Sequence, residues 1–135
     1  MILSSPYIFG TNYDVLVDHI MGLIPLLRSS MYNATTPSSH SHLRMQLYGP
    51  SGLRSFVRFN LNITAVGLAG KFAVHELLGK DEQPSVGCEK ESLHENELPG
   101  MDIRADEDGL WRGLARSDNG EWTVDAGPLA HRSES

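Results

Sequence analysis

An α/β domain is the fold this chain predicts, and three observations predict it. Apolar residues recur at helical spacing in two places, Ile20, Leu23, Ile24 and Leu27, then Leu53, Phe56, Val57 and Leu61. Between and after them lie strand-like runs, "LRMQLYG" (43–49) and "KFAVHELL" (71–78). Helical and extended stretches therefore interleave along the chain, which is the order of an α/β architecture. A length of 135 residues suits one domain.

In chain order, residues 1–17 mix β-branched and aromatic side chains around Gly10 and predict one strand or two short extended pieces. Asp18 suits a helix N-cap. Pro25 is tolerated only in a first turn, so the regular helix should start near Leu23. "NATTPSSHSH" (33–42) reads as a polar loop. The strand at 43–49 alternates apolar and polar residues. Pro50 and Gly52 then open the second helix, and 71–78 is the next strand. Residues 79–100 are acidic, with scattered Pro and Gly, and predict a loop. "LWRGLAR" (110–116) predicts a short helical piece, Asn119-Gly120 a tight turn, and "EWTVDAG" (121–127) a final strand.

The composition is that of a globular domain, 40% hydrophobic and 21% charged. No apolar run approaches the roughly 20 residues of a membrane span. The N-terminus lacks the basic start and apolar core of a signal peptide. The single Cys88 excludes an internal disulfide and fits a reducing, intracellular compartment. The net charge of −6 is uneven. Residues 1–75 hold five basic and two acidic side chains; residues 76–135 hold six basic and fifteen acidic ones. The first part tolerates a polyanion, while the second repels one unless it faces away.

Few residues offer chemistry. Asp18 and His19 place a carboxylate and an imidazole at the start of a helix, a donor pair suited to zinc. Alone they read first as a helix cap with a surface histidine. His40 and His42 form an H-x-H pair in a polar loop. His75-Glu76 lacks the second histidine of H-E-x-x-H, and on a strand the two point to opposite faces. His94 lies in the acidic loop and is expected to be solvated. His131 follows a strand and a Gly127-Pro128 kink, and strand ends are where α/β folds place their chemistry. Cys88 has no evident partner for nucleophilic work.

"DHIMGLIPLLRS" (18–29), "LYGPSGLRSFVRF" (47–59), "KFAVHELL" (71–78) and "DAGPLAHR" (125–132) together resemble tRNase Z, in order and rough spacing. This family is the tRNA 3′-processing endoribonuclease of the metallo-β-lactamase superfamily, and the likeness is to its short, fungal-like form. "YGPSGLR" is the most specific piece. The resemblance implies a four-layer αβ/βα sandwich with two zinc ions at one edge, present here as a partial sandwich incomplete at both ends. Residues 1–17 would be a divergent N-terminal segment, and 18–135 a partial domain with an acidic loop at 79–118. Asp18 and His19 match the end of the family's H-x-H-x-D-H motif and would ligate the second zinc. Asp18 would also be catalytic, helping to move protons. His131 would ligate the first zinc. The implied activity is removal of the 3′ trailer of precursor tRNA by a metal-activated water. The implied partners are precursor tRNA and a second copy of the chain, with no membrane.

Several positions depart from that pattern. The two leading histidines of the motif should fall at positions 14 and 16, where the chain has Asp14 and Leu16, and Val17 replaces the usual glycine. Leucine cannot ligate a metal. Catalytic zinc usually takes three protein ligands, so the chain alone is expected to bind zinc weakly or not at all and to be inactive. The other reading is a non-catalytic remnant that serves as an interaction or dimerisation module. A partial sandwich would also leave Ile24, Leu27, Phe56 and Val57 without cover.

Overall fold

The computed structural model describes residues 2–4, 7–9, 22–31, 43–64, 68 and 70–128. Among these residues, eight strands and two α-helices form a mixed α/β structure. The elements are β1 (Ile2–Ser4), β2 (Tyr7–Phe9), α1 (Leu23–Met31), β3 (Leu43–Pro50), α2 (Leu53–Thr64), β4 (Lys71–Leu78), β5 (Glu97–Leu98), β6 (Asp102–Arg104), β7 (Trp111–Arg116) and β8 (Thr123–Ala126).

The helix α1 begins at Leu23, as Pro25 requires. Pro25 then lies among the first residues of the helix, whose N–H groups have no partner within it anyway. The first helical bond runs from the Leu26 N–H to the Gly22 carbonyl, at 3.0 Å. Leu23, Ile24 and Leu27 share one face and are buried. In α2 the buried side is Leu53, Arg54, Val57, Arg58 and Leu61, about two side chains per turn.

The larger sheet runs β1-β2-β3-β4, with β5 and β6 both on the outer edge of β4. β1 and β2 pair antiparallel, and β2, β3, β4, β5 and β6 pair in parallel. Parallel neighbours need a crossover, and α2 supplies the one between β3 and β4. Side chains alternate across β3 and β4. Met45, Leu47, Phe72 and Val74 meet the apolar faces of both helices in one core. On the other face, Tyr48 and Leu77 pack against Leu114, with Ile103, Trp111, Val124 and Ala126 around them. The order of layers is helices, sheet, two-stranded sheet. β4 is covered on both faces, and seven of its eight residues are buried.

Three expectations are corrected. The expected helical piece at 110–116 is the strand β7, antiparallel to β8. Leu110 and Leu114 mimic a helical spacing. Gly113, at φ 66°, and a register shift between Trp111 and Ala115 break the alternation that would have marked a strand. The acidic stretch 79–118 is not a bare loop, because it supplies β5, β6 and β7. Ile24, Leu27 and Val57 are not left uncovered: they are 8%, 0% and 0% exposed, because each helix packs on the other and on the sheet.

Phe72 sits fully buried between sheet and helices, whereas Phe59 on α2 is 63% exposed. Phe72→Ala is expected to cost about 3–5 kcal/mol of stability. Phe59→Ser should change stability by no more than about 0.5 kcal/mol. Urea denaturation of the two variants checks both.

Candidate functional site

The carboxyl ends of β3 and β4 and the start of β6 meet the start of α2, and buried polar residues converge there. The turn "GPSGL" ends at Gly52, whose φ of 104° falls in the region that favours glycine. Its carbonyl accepts the first bond of α2, from the Phe56 N–H at 2.9 Å. A helix start leaves N–H groups unpaired. Glu76, on the helix-facing side of β4, takes two of them. Its Oε1 accepts from the Gly52 and Arg54 N–H groups, each at 3.0 Å. The Ser85 N–H donates to Oε2 at 2.7 Å, and the Ser85 hydroxyl donates to Oε1 at 2.5 Å. A carboxylate is thus buried at the positive end of a helix, where the backbone dipoles favour it.

Arg54 lies beside it, 0% exposed. Its Nε and Nη2 donate to the Val74 carbonyl at 3.3 and 3.2 Å, and its Nη1 donates to the Val86 carbonyl at 2.7 Å. Nη2 also reaches the Met101 carbonyl at 3.4 Å and Asp102 Oδ1 at 3.0 Å. Nη1 stands 3.9 Å from Glu76 Oε2. A guanidinium survives such burial only when its donors are filled and its charge is met. One turn along α2, Arg58 makes a two-pronged pair with Glu97, at 2.7 and 2.9 Å. Burial works against the Arg58 charge, but Glu97 outweighs it and raises the pKa. Two of the five basic groups in the first 75 residues are therefore internal and neutralised.

On the opposite face of β4, His75 is buried and stacks on Tyr48, with ring centroids 4.5 Å apart. Its Nδ1 accepts from the Met101 N–H at 3.0 Å, so Nε2 carries the proton toward Gln46 Oε1, also at 3.0 Å. His75 and Glu76 do point to opposite faces. Neither ring nitrogen of His75 is free for a metal. His94, expected in solvent, is half-buried against Phe72, and its Nδ1 accepts from the Asn96 N–H. Burial lowers its pKa; Glu95 and Glu97 oppose the shift and Lys71 adds to it. Cys88 is a half-buried free thiol beside Arg58.

Every buried side-chain nitrogen and oxygen among the described residues has a partner. The polar centre therefore ties the strand ends to the start of α2. Open space lies next to it, in a cavity of about 550 Å³ at the carboxyl ends of β4 and β6. Trp111, Ala105 and Pro128 line it, with Lys80, Glu82 and Glu107 at its polar edge. Arg104 shapes that edge by donating from Nη1 to the carbonyls of Gly79, Lys80 and Glu82.

Asp18, His19 and His131, the expected zinc ligands, lie outside the described residues, as do Asp14, Leu16, His40 and His42. Among the described residues, no three His, Cys, Asp or Glu side chains are grouped as a metal ion would need. No helix among them is long and apolar enough to cross a membrane. Sequence reasoning overlooked Arg54 and Arg58, which look like surface charges. The signal available was their spacing of four, which puts both on the apolar face of α2.

Two outcomes follow from this geometry. Glu76→Ala uncaps α2 and leaves Asp102 as the one carboxylate against the buried Arg54, so it should cost about 3–5 kcal/mol in urea denaturation. Amide exchange at Gly52 and Arg54 should accelerate with it. His75 gives a pH signature. Burial, reinforced by the Arg54 charge, pushes its pKa from 6.5 down to about 4. The unfolded chain binds the proton first, so this contribution is whole above pH 6.5 and is lost as pH falls toward about 4. In denaturation at stepped pH, His75→Gln should flatten the slope across that window relative to the parent chain. No family model, curated protein or solved structure matches this chain.

Proposed function

We propose that this chain is a tRNase Z-like scaffold that carries an incomplete zinc centre and does not itself cleave RNA. The observation that carries this reading is the Glu76 bridge. Glu76 belongs to "KFAVHELL" and the amides it holds belong to "YGPSGLR", so two of the four stretches that resemble the family interlock through one buried carboxylate. The layer order of helices, sheet and second sheet is also compatible with three of the four layers of an αβ/βα sandwich.

The donor set of the chain does not complete a zinc site. Asp18 and His19 would serve the second ion and His131 the first, and Leu16 contributes nothing, against the three protein ligands a catalytic zinc takes. No hydrolytic step is therefore derived for this chain. The resemblance makes precursor tRNA the substrate class. With Arg54 and Arg58 internal, less basic surface remains to hold it.

A second reading, a self-association module, is favoured by one feature. Phe59 and Ile63 stand one turn apart on α2 and are 63% and 62% exposed. Sedimentation of the parent chain and of Phe59→Ser/Ile63→Ser over a range of concentrations separates the two. Association that the double variant abolishes favours the module.

The main test is metal content after gel filtration, with cleavage of a 3′-extended precursor tRNA in added zinc or manganese. The parent chain should retain well under one zinc per chain and leave the RNA intact. Asp14→His/Leu16→His should raise zinc retention, and a further Asp18→Ala or His131→Ala should lower it again. A parent chain that holds about one or two zinc ions overturns the incomplete centre. A double-histidine variant that retains no zinc overturns the resemblance at Asp18-His19.

A further inference from the structure

We propose that the cavity at the carboxyl ends of β4 and β6 is a binding site for an alkylammonium group. Its volume of about 550 Å³ falls within the usual range of small-ligand sites, about 300–1,000 Å³. The aromatic surface in it is Trp111, and that ring is fixed. Its indole N–H donates to the Leu78 carbonyl at 3.0 Å, and the ring packs against the apolar cluster of Tyr48, Leu77 and Leu114. A fixed indole face attracts an organic cation. Pro128 and Ala105 extend the apolar wall and leave room for methylene groups.

The charges around the wall choose the sign of the ligand. Glu82, Asp106, Glu107 and Lys80 line it, and the Arg104 guanidinium stands at the same edge. Asp106 is already paired with Arg112 at 2.6 Å, and Glu82 accepts from the Gly79 N–H at 2.9 Å. Glu107 makes no hydrogen bond or ion pair among the described residues, so its carboxylate is available. The lining side chains sum to a negative charge that Arg104 and Arg112 offset in part, and the unpaired carboxylate of Glu107 favours a cationic ligand over a phosphate-bearing one. A bare metal ion is disfavoured for a different reason: these carboxylates are not grouped closely enough to share one. What remains is a cation that spreads its charge over an aromatic face and reaches a carboxylate at the edge. The cavity's chemistry is independent of zinc hydrolysis and stands or falls without it.

Two sources carry such a group, a free diamine and a lysine side chain of another protein. The experiment uses the full chain with Trp122→Phe, which removes the exposed second indole and leaves Trp111 as the emitter. Cadaverine and Nα-acetyl-lysine amide are titrated separately, against potassium chloride of matched ionic strength. Saturable change in Trp111 emission with either amine, and none with the salt, is expected. Tighter binding of cadaverine assigns the free amine, and tighter binding of the lysine amide assigns a partner's side chain. Glu107→Gln should weaken binding about two- to fivefold, and Lys80→Ala should tighten it by about twofold. Both residues are exposed, so neither change threatens the fold. Amide shifts of Gly79 and Gly109 give a second readout at the cavity wall. Emission that follows ionic strength alone, or affinities that ignore both substitutions, overturns the proposal.

Discussion

The buried pair of Arg54 and Glu76 is the constraint around which the rest of this domain is arranged. Each is costly to bury alone, and each is made tolerable by what the other elements bring. Glu76 gains the two amides at the start of α2 and both polar groups of Ser85. Arg54 gains carbonyls from β4 and from the segment that follows it, together with Asp102. The acidic second half of the chain is therefore not only a solvated surface. Asp102 and Glu97 come from it and neutralise two arginines of the first half. The opposite charge balances of the two halves are partly the two sides of one internal interaction.

That arrangement also fixes the outer edge of the sheet. β5 and β6 pair with β4 as two short pieces, at residues 72–73 and 76–78, and the chain crosses between them at Gly100. A methyl group at that position would overlap the Val74 carbonyl, so the close approach requires glycine. The crossing brings the Met101 N–H to His75 and the Met101 carbonyl to Arg54. One residue on the interrupted edge thus serves both faces of β4.

Much of the framework was legible in the sequence. The strands at 43–50 and 71–78 announced themselves because a covered strand must place apolar groups on both faces or on alternate ones. The start of α1 was legible because proline permits few positions in a helix. Gly120, with a φ of 73°, marks the turn that Asn119-Gly120 predicted. β5 and β6 were not legible, since two or three residues carry no period, and their pairing is decided by what already lies along β4. The polar centre was hidden for a related reason. An arginine reads as surface until its partners are known, and the partners of Arg54 lie 20 to 48 residues away. The zinc ligands that the resemblance names, Asp18, His19 and His131, fall outside the described residues.

Those separations carry a kinetic meaning. Arg54 enters a helix whose own contacts are local and early, but its charge is not met until β4 and residues 85–102 have closed over it. Loop-closure entropy must be spent before any of those bonds forms. A half-assembled domain would therefore hold an unmatched cation against apolar surface, which sets a barrier to partial states. The segment after β4 carries the groups that meet these charges: Ser85, the Val86 carbonyl, Glu97 and Asp102. Displacing that segment as a whole would strip partners from Arg54, Arg58 and Glu76 together, a cost that favours opening as a unit over opening piecemeal.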